Sequence, residues 1–263
     1  WDDLGEKPSQ TNLLHFHPMA FIDNLMRKKS SDAIKIAVDA GHGGFGSTSG
    51  KRTPKLPSVD SDGNWLFDQL KDSIFYEWDF NNIVAKTVIK ELDKYSNAIV
   101  KRFDDPTGKT DIGGIVNGSN TLTAGRVNPA KEWGAKIYIS CHHNANAGTW
   151  GNHHGLETFI HSSANENSIS RKLADSVQLK ILDVYDLKNT DKGNRGVKQS
   201  RLAVLNFLKE DEGAILVEGG FMDSKIDIDY MINKDLTLNK EKLVALGKAI
   251  ANGVADALKL QKY

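Results

Sequence analysis

The chain has 263 residues, of which 39% are hydrophobic and 26% charged, enough for one large α/β domain or two small ones. Lys plus Arg and Asp plus Glu number 34 each, so net charge makes no case for nucleic acid or an anionic membrane as partner. No apolar run approaches the ~20 residues that cross a bilayer, and a single cysteine, Cys141, excludes an internal disulfide and any paired-cysteine metal knuckle, leaving His, Asp and Glu as metal ligands.

The chain begins at Trp1 rather than at a methionine, as expected of a fragment or processed form, and its first ten residues lack the pattern of a signal peptide. Residues 1–33 are polar and without clear period. They read as an N-terminal extension or linker, with one short helix over 21–29. The main domain is expected over 34–263. Ile34-Lys35-Ile36-Ala37-Val38 reads as a strand, ending in Asp39-Ala40-Gly41-His42-Gly43-Gly44. Residues 44–73, rich in Gly, Ser, Pro and Asp, read as a long loop of the kind that is usually functional. Phe80, Ile83, Val84, Val88 and Leu92 are spaced for a helix over 75–94. A strand over 98–103 follows, then a loop over 104–120. A helix is expected over 121–134, kinked or split at Pro129. Further strands are expected over 136–141 and 155–161, a helix over 165–185, a strand or short hairpin over 196–207, a strand over 213–217 and a closing amphipathic helix over 239–260. Strands and helices alternate, so the expected architecture is an α/β sheet with helices on both faces.

His42, His142 and Glu218 each fall just past the carboxyl end of an apolar strand, the edge at which open α/β sheets bind ligands. Glu77 opens the first helix and is placed to project toward that edge, with Asn81 one turn later to orient it. Each has a plainer account: a turn that contains a histidine, an acid at the positive end of a helix dipole, a strand residue. The plain account is weakest for Glu218, because a carboxylate emerging from a buried strand is costly unless it is paired or serves a site. His142 and His143 are adjacent and point to opposite faces of a strand, so one meets a ligand, and residue chemistry alone does not choose between them. His153 and His154 read as a solvated loop. Two histidines and one carboxylate make a common catalytic zinc set with an open position for water, and a further carboxylate serves as general base and acid.

These segments together resemble the zinc-dependent N-acetylmuramoyl-L-alanine amidases with a His-Glu-His metal site. Val38-Asp39-Ala40-Gly41-His42-Gly43-Gly44 is similar to the family's opening motif, and Glu77 with Asn81 to its second. Ile139-Ser140-Cys141-His142-His143-Asn144-Ala145 resembles the third, Ser-x-His-x-Asn-Ala, which puts the ligand on His142. Gly155-Leu156-Glu157-Thr158 and Arg195-Gly196-Val197-Lys198-Gln199 resemble further stretches, and Leu216-Val217-Glu218-Gly219-Gly220-Phe221 the last. The resemblance runs from about residue 34 to the C-terminus. It implies a single mixed, mostly parallel twisted sheet flanked by helices on both faces. It implies one Zn2+ held by His42, Glu77 and His142, with Glu218 catalytic. The implied reaction is hydrolysis of the amide between the lactyl group of N-acetylmuramic acid and L-alanine of peptidoglycan. Action at the bacterial cell wall follows, as an autolysin or a phage lysin, by a monomer with no nucleic-acid partner. Asn144, Glu157, His161, Lys198 and Gln199 are the candidate substrate-lining residues. Pro129 departs from the family's uninterrupted helix, the loops over 44–73 and 104–120 are individual, and residues 1–33 match no family pattern. A zinc carboxypeptidase would carry its first two ligands close together as His-x-x-Glu, and a catalytically inert wall-binding module would lack a ligand or the acid. His42 and Glu77 are far apart and all four groups are present.

Overall fold

The computed structural model describes residues 29–44, 51–113 and 125–263. The expected helix over 21–29 lies almost wholly outside them, as do 45–50 and 114–124 of the expected loops and helix. Six strands form the main sheet: β1 (Ile34–Ala40), β4 (Ala98–Arg102), β5 (Ile137–Asn144), β6 (Leu156–His161), β7 (Asn194–Ser200) and β8 (Gly213–Phe221), in the order β4-β1-β5-β8-β6-β7. The first four in that order run parallel; β6 is antiparallel to β8 and parallel to β7. The sheet is therefore mixed and mostly parallel. The carboxyl edge of β1, β5 and β8 is the amino edge of β6 and β7.

Strand alternation sorts side chains into two cores. Ile36, Val38, Ile137, Ile139, Ile215 and Val217 face a large core. Three long helices cover it: α1 (Glu77–Leu92), α3 (Ile169–Asp183) and α5 (Lys240–Leu258), with α5 packed on both others. In α1 the buried Phe80, Val84, Val88 and Leu92 recur every four residues and form its inward stripe. Ala37, Tyr138, Ala214 and Leu216 face a smaller core closed by Phe103, Phe207, Leu205 and the short helix α2 (Val127–Glu132). Ile228–Met231 forms a single-turn helix, α4.

Four local expectations are corrected. Residues 57–70 hold a small antiparallel pair, β2 (Pro57–Val59) and β3 (Trp65–Leu70), turned by Asp60, whose carboxylate accepts from the backbone of Asp62 and Asn64. Pro129 sits in the first turn of α2, where a backbone N–H has no helical acceptor, so it neither kinks nor splits a longer helix. β5 and β8 run past their expected ends, so His142 and Glu218 are strand residues, paired in register with each other. His154 is buried rather than solvated, its ring 2.8 Å from Thr190 Oγ1.

Candidate active site

At the carboxyl edge β1 turns sharply after Ala40. Gly41 N donates to Cys141 O at 2.8 Å, holding the turn against β5. His42 adopts φ +60°, a left-handed conformation uncommon for a residue with a side chain and found where surrounding contacts enforce it. Gly41 is there because of space. A Cβ on it would lie 2.2 Å from Cε1 and 2.3 Å from Nε2 of His142.

Glu77 is the first residue of α1, its backbone N bonded to Lys51 O at 2.9 Å. Its Oε1 accepts from His143 N at 3.1 Å and Asn81 Nδ2 at 3.2 Å, and lies 2.9 Å from His142 Nδ1. Its Oε2 is 3.4 Å from His42 Nε2. Burial pushes this carboxyl up, but the hydrogen bond from His142 and the charges of His142 and His42 outweigh it and hold Glu77 at about 2. One donor atom from each of His42, Glu77 and His142 lies within 4.8 Å of the others. Glu77 is nearly enclosed, whereas the His42 and His142 side chains keep 23% and 11% of their surface, so the cluster opens toward solvent on the histidine side.

His142 and His143 diverge as strand neighbours must. His143 enters the large core against Phe80, with Nδ1 2.8 Å from Asn81 Oδ1, and burial pushes it down to about 4. His142 faces the same side of the sheet as Ser140 and Glu218. Glu218 Oε2 is shielded and has no hydrogen-bond partner among the described residues. Burial pushes its carboxyl well above the usual range, Glu77 and Glu157 push it further, and Lys51 opposes them. A shielded carboxylate with a bare oxygen beside three gathered donors is a group held ready for a proton or a ligand.

The remaining candidates divide. Asn144 Nδ2 donates to Glu157 Oε1 at 2.7 Å. Glu157 stands opposite Glu218 in register and is bound by Arg195 Nε at 2.6 Å and by Lys198. These four residues form one network beside Glu218. His161 ends β6 and Gln199 lies near the end of β7. Because both strands run opposite to β8, the two side chains reach the far edge of the sheet, where His161 contacts Ser163 and Gln199 donates to Ala164 O. They are not brought to the cluster. Lys51, Asp111 and Arg126 are at the site and carry no sequence signal of their own, since each lies beside a loop and its position depends on chain closure.

The fold and the cluster define an α/β protein whose strand edge gathers two imidazoles and a carboxylate, a set able to hold a metal ion. The chain belongs to the N-acetylmuramoyl-L-alanine amidase family, which it matches over residues 36–256. It is 28% identical over 137 residues to the N-acetylmuramoyl-L-alanine amidase CwlM of Bacillus licheniformis, a match covering 52% of this chain and 46% of that protein. It is 25% identical over 137 residues, with the same shares covered, to the sporulation-specific N-acetylmuramoyl-L-alanine amidase of Bacillus subtilis (strain 168). The match thus spans about half the length of these curated relatives. The crystal structure of N-acetylmuramoyl-L-alanine amidase from Clostridium difficile 630 is similar at a TM-score of 0.58 and 23% identity, over 87% of this chain and 98% of that one. Amidase AmiC2 of Nostoc punctiforme is similar at 0.57 and 23% identity, over 86% and 97%. At that identity the likeness is one of fold.

Proposed function

We propose that this chain is a zinc-dependent N-acetylmuramoyl-L-alanine amidase that acts at the bacterial cell wall and hydrolyses the amide between the lactyl group of N-acetylmuramic acid and L-alanine of peptidoglycan. The catalytic unit is 34–263, with 1–33 an extension to it. The observation that carries the reading is Glu218 with its bare, shielded oxygen on the strand pair of His142, next to the gathered donors of His42, Glu77 and His142. The donor set fits zinc: two imidazoles and one carboxylate, with an exposed side left for water.

His42, Glu77 and His142 would hold the ion, which when bound lowers the pKa of water to ~7 and polarises a carbonyl. Glu218 takes the proton of the attacking water and delivers it to the departing nitrogen of L-alanine. The raised proton affinity of the metal-free site suits the acid half of that exchange, and a cation held beside Glu218 would favour the carboxylate that the base half needs. Asn81 holds Glu77 in orientation through Nδ2, which also donates to Gly41 O at 3.2 Å. Asn144, Glu157 and Lys198 line the approach to Glu218.

Purified cell walls incubated with the zinc-loaded chain test the reading. New L-alanine α-amines should appear while the glycan stays intact, and a chelator should stop their release until zinc is restored. Release of reducing sugar ends, or of peptide carboxyl-terminal residues instead, refutes it.

A further inference from the structure

Both histidines of the cluster turn one ring nitrogen toward Glu77 and the other toward a polar group behind them. On His42, Nε2 is 3.4 Å from Glu77 Oε2 and Nδ1 is 3.4 Å from Asp111 Oδ2. On His142, Nδ1 is 2.9 Å from Glu77 Oε1 and Nε2 is 3.1 Å from Ser140 Oγ. Ser140 has one proton to give and lies 2.5 Å from Asp39 Oδ1. Asp39 is acceptor to the Tyr138 hydroxyl at 2.7 Å as well. Ser140 therefore donates to Asp39, and its oxygen accepts from His142 Nε2–H.

One buried guanidinium joins these two arms. Arg126 Nη1 donates to Ala40 O at 2.8 Å and Asp39 Oδ2 at 3.3 Å. Its Nη2 donates to His42 O at 2.6 Å and Asp111 Oδ1 at 3.3 Å. It thus grips the carbonyls on both sides of Gly41 and the carboxylates behind both rings. The Arg126 side chain is 3% exposed, and its Nε has no hydrogen-bond partner among the described residues. A guanidinium shielded this far is held in place by what Nη1 and Nη2 donate to. Only the planar fork of arginine reaches four acceptors at once, and a lysine ammonium does not replace it.

We infer that Arg126 is a positioning residue that fixes both histidine ligands: through Asp111 it sets His42 with Nε2 toward Glu77, and through Asp39 and Ser140 it sets His142 with Nδ1 toward Glu77. The inference rests on the reading of His42, Glu77 and His142 as metal ligands and deepens it, naming the nitrogen each ring offers and the group that fixes it. Groups behind metal-bound histidines hold ring orientation and tautomer, and their loss costs metal affinity.

The test measures zinc affinity by competition with a chromophoric chelator on the full chain and on Arg126→Lys, Asp111→Asn and Ser140→Ala, with circular dichroism and metal-free melting temperature recorded for each. Each folded variant should bind zinc about 10–100-fold more weakly. Asp111→Asn added to Arg126→Lys should cost less than the product of the two single effects, because both act on one link. Nitrogen-15 spectra of zinc-loaded wild type should show His42 metallated at Nε2 and His142 at Nδ1. A variant that melts earlier yet binds zinc with wild-type affinity marks a merely structural role and overturns the inference, as do the opposite nitrogen assignments. If Arg126→Lys does not fold, Asp111→Asn and Ser140→Ala decide, since they cut the two arms separately. Wild type that binds zinc but frees no L-alanine amine from cell walls defeats the amidase reading and leaves the affinity comparison valid.

Discussion

Gly41→Ala places one methyl group where the site has no room for it. The added Cβ would stand 2.2 Å from His142 Cε1, where ordinary contact begins at 3.4 Å, so the imidazole must retreat by roughly 1.2 Å or the β1 turn must open. Retreat carries His142 away from Glu77. Ligand positions in metal sites are held to about 0.2 Å, so a movement several times larger removes His142 from the donor set. Zinc affinity should fall by at least ~100-fold, the upper end of what loss of a supporting group costs, and wall hydrolysis at limiting zinc should fall with it. Gly41 itself does not adopt a positive φ, so the loss of melting temperature in the metal-free protein should come from the displaced ring alone and be smaller than the loss of zinc affinity. Gly151→Ala serves as the control, because the nearest atom to its added Cβ is 3.8 Å away. Chelator competition and calorimetry on the three proteins read the result. Zinc binding by Gly41→Ala within about twofold of wild type, on the scale where an imidazole ligand matters, would mean that His142 is not held against Gly41 for a metal.

Four further outcomes follow from the same site. Glu218→Gln should retain zinc and lose ~10²–10⁴-fold in turnover; near-normal hydrolysis rules out the proton-transfer role. Because the folded carboxyl is raised above its unfolded value, its stabilising contribution is present at acid pH and lost as pH rises, so metal-free Glu218→Gln should gain on wild type at neutral pH and not at acid pH. His143 is lowered to about 4 and Glu77 to about 2, so the stability each contributes is lost on acidification, from 6.5 toward 4 for His143 and from 4.5 toward 2 for Glu77. Denaturant titrations of metal-free Glu218→Gln, which lacks the opposing Glu218 contribution, from pH 8 to pH 3 should show decline beginning near 6.5, and a flat profile down to pH 5 contradicts the burial of a neutral His143. Lys51→Ala removes the cation that opposes protonation of Glu218, so the acid limb of the rate profile should move to higher pH, and a limb that stays in place denies that their fields interact.

Much of the site is legible in the order of residues because strand ends announce themselves. An apolar run that stops at Gly41-His42, at His142 or at Glu218-Gly219 puts a polar side chain on the rim of a sheet, and the first turn of α1 delivers Glu77 to the same rim. Five of the six strands are legible for the same reason, because burial imposes a local period on apolar residues; β7 (Asn194–Ser200) has no such period, and its stretch read only as a strand or short hairpin. The alternation of strands and helices likewise yields the α/β class, since parallel neighbours need crossovers.

Direction and closure are not local, and they are what the tertiary structure decided. β6 runs against β8 although nothing within Leu156–His161 encodes its heading, and that reversal sends His161 and Gln199 to the far edge while leaving Glu157 beside Glu218. The extra length of β5 and β8, settled by their pairing with each other, brings His142 and Glu218 side by side. Arg126 reaches Asp39 and Asp111 across 87 and 15 positions of chain, a convergence that exists only once the sheet has formed. Sequence periodicity reports which side of an element is buried; which distant groups then share one desolvated space is set by how the elements close on each other, and the chemistry of the site lies there.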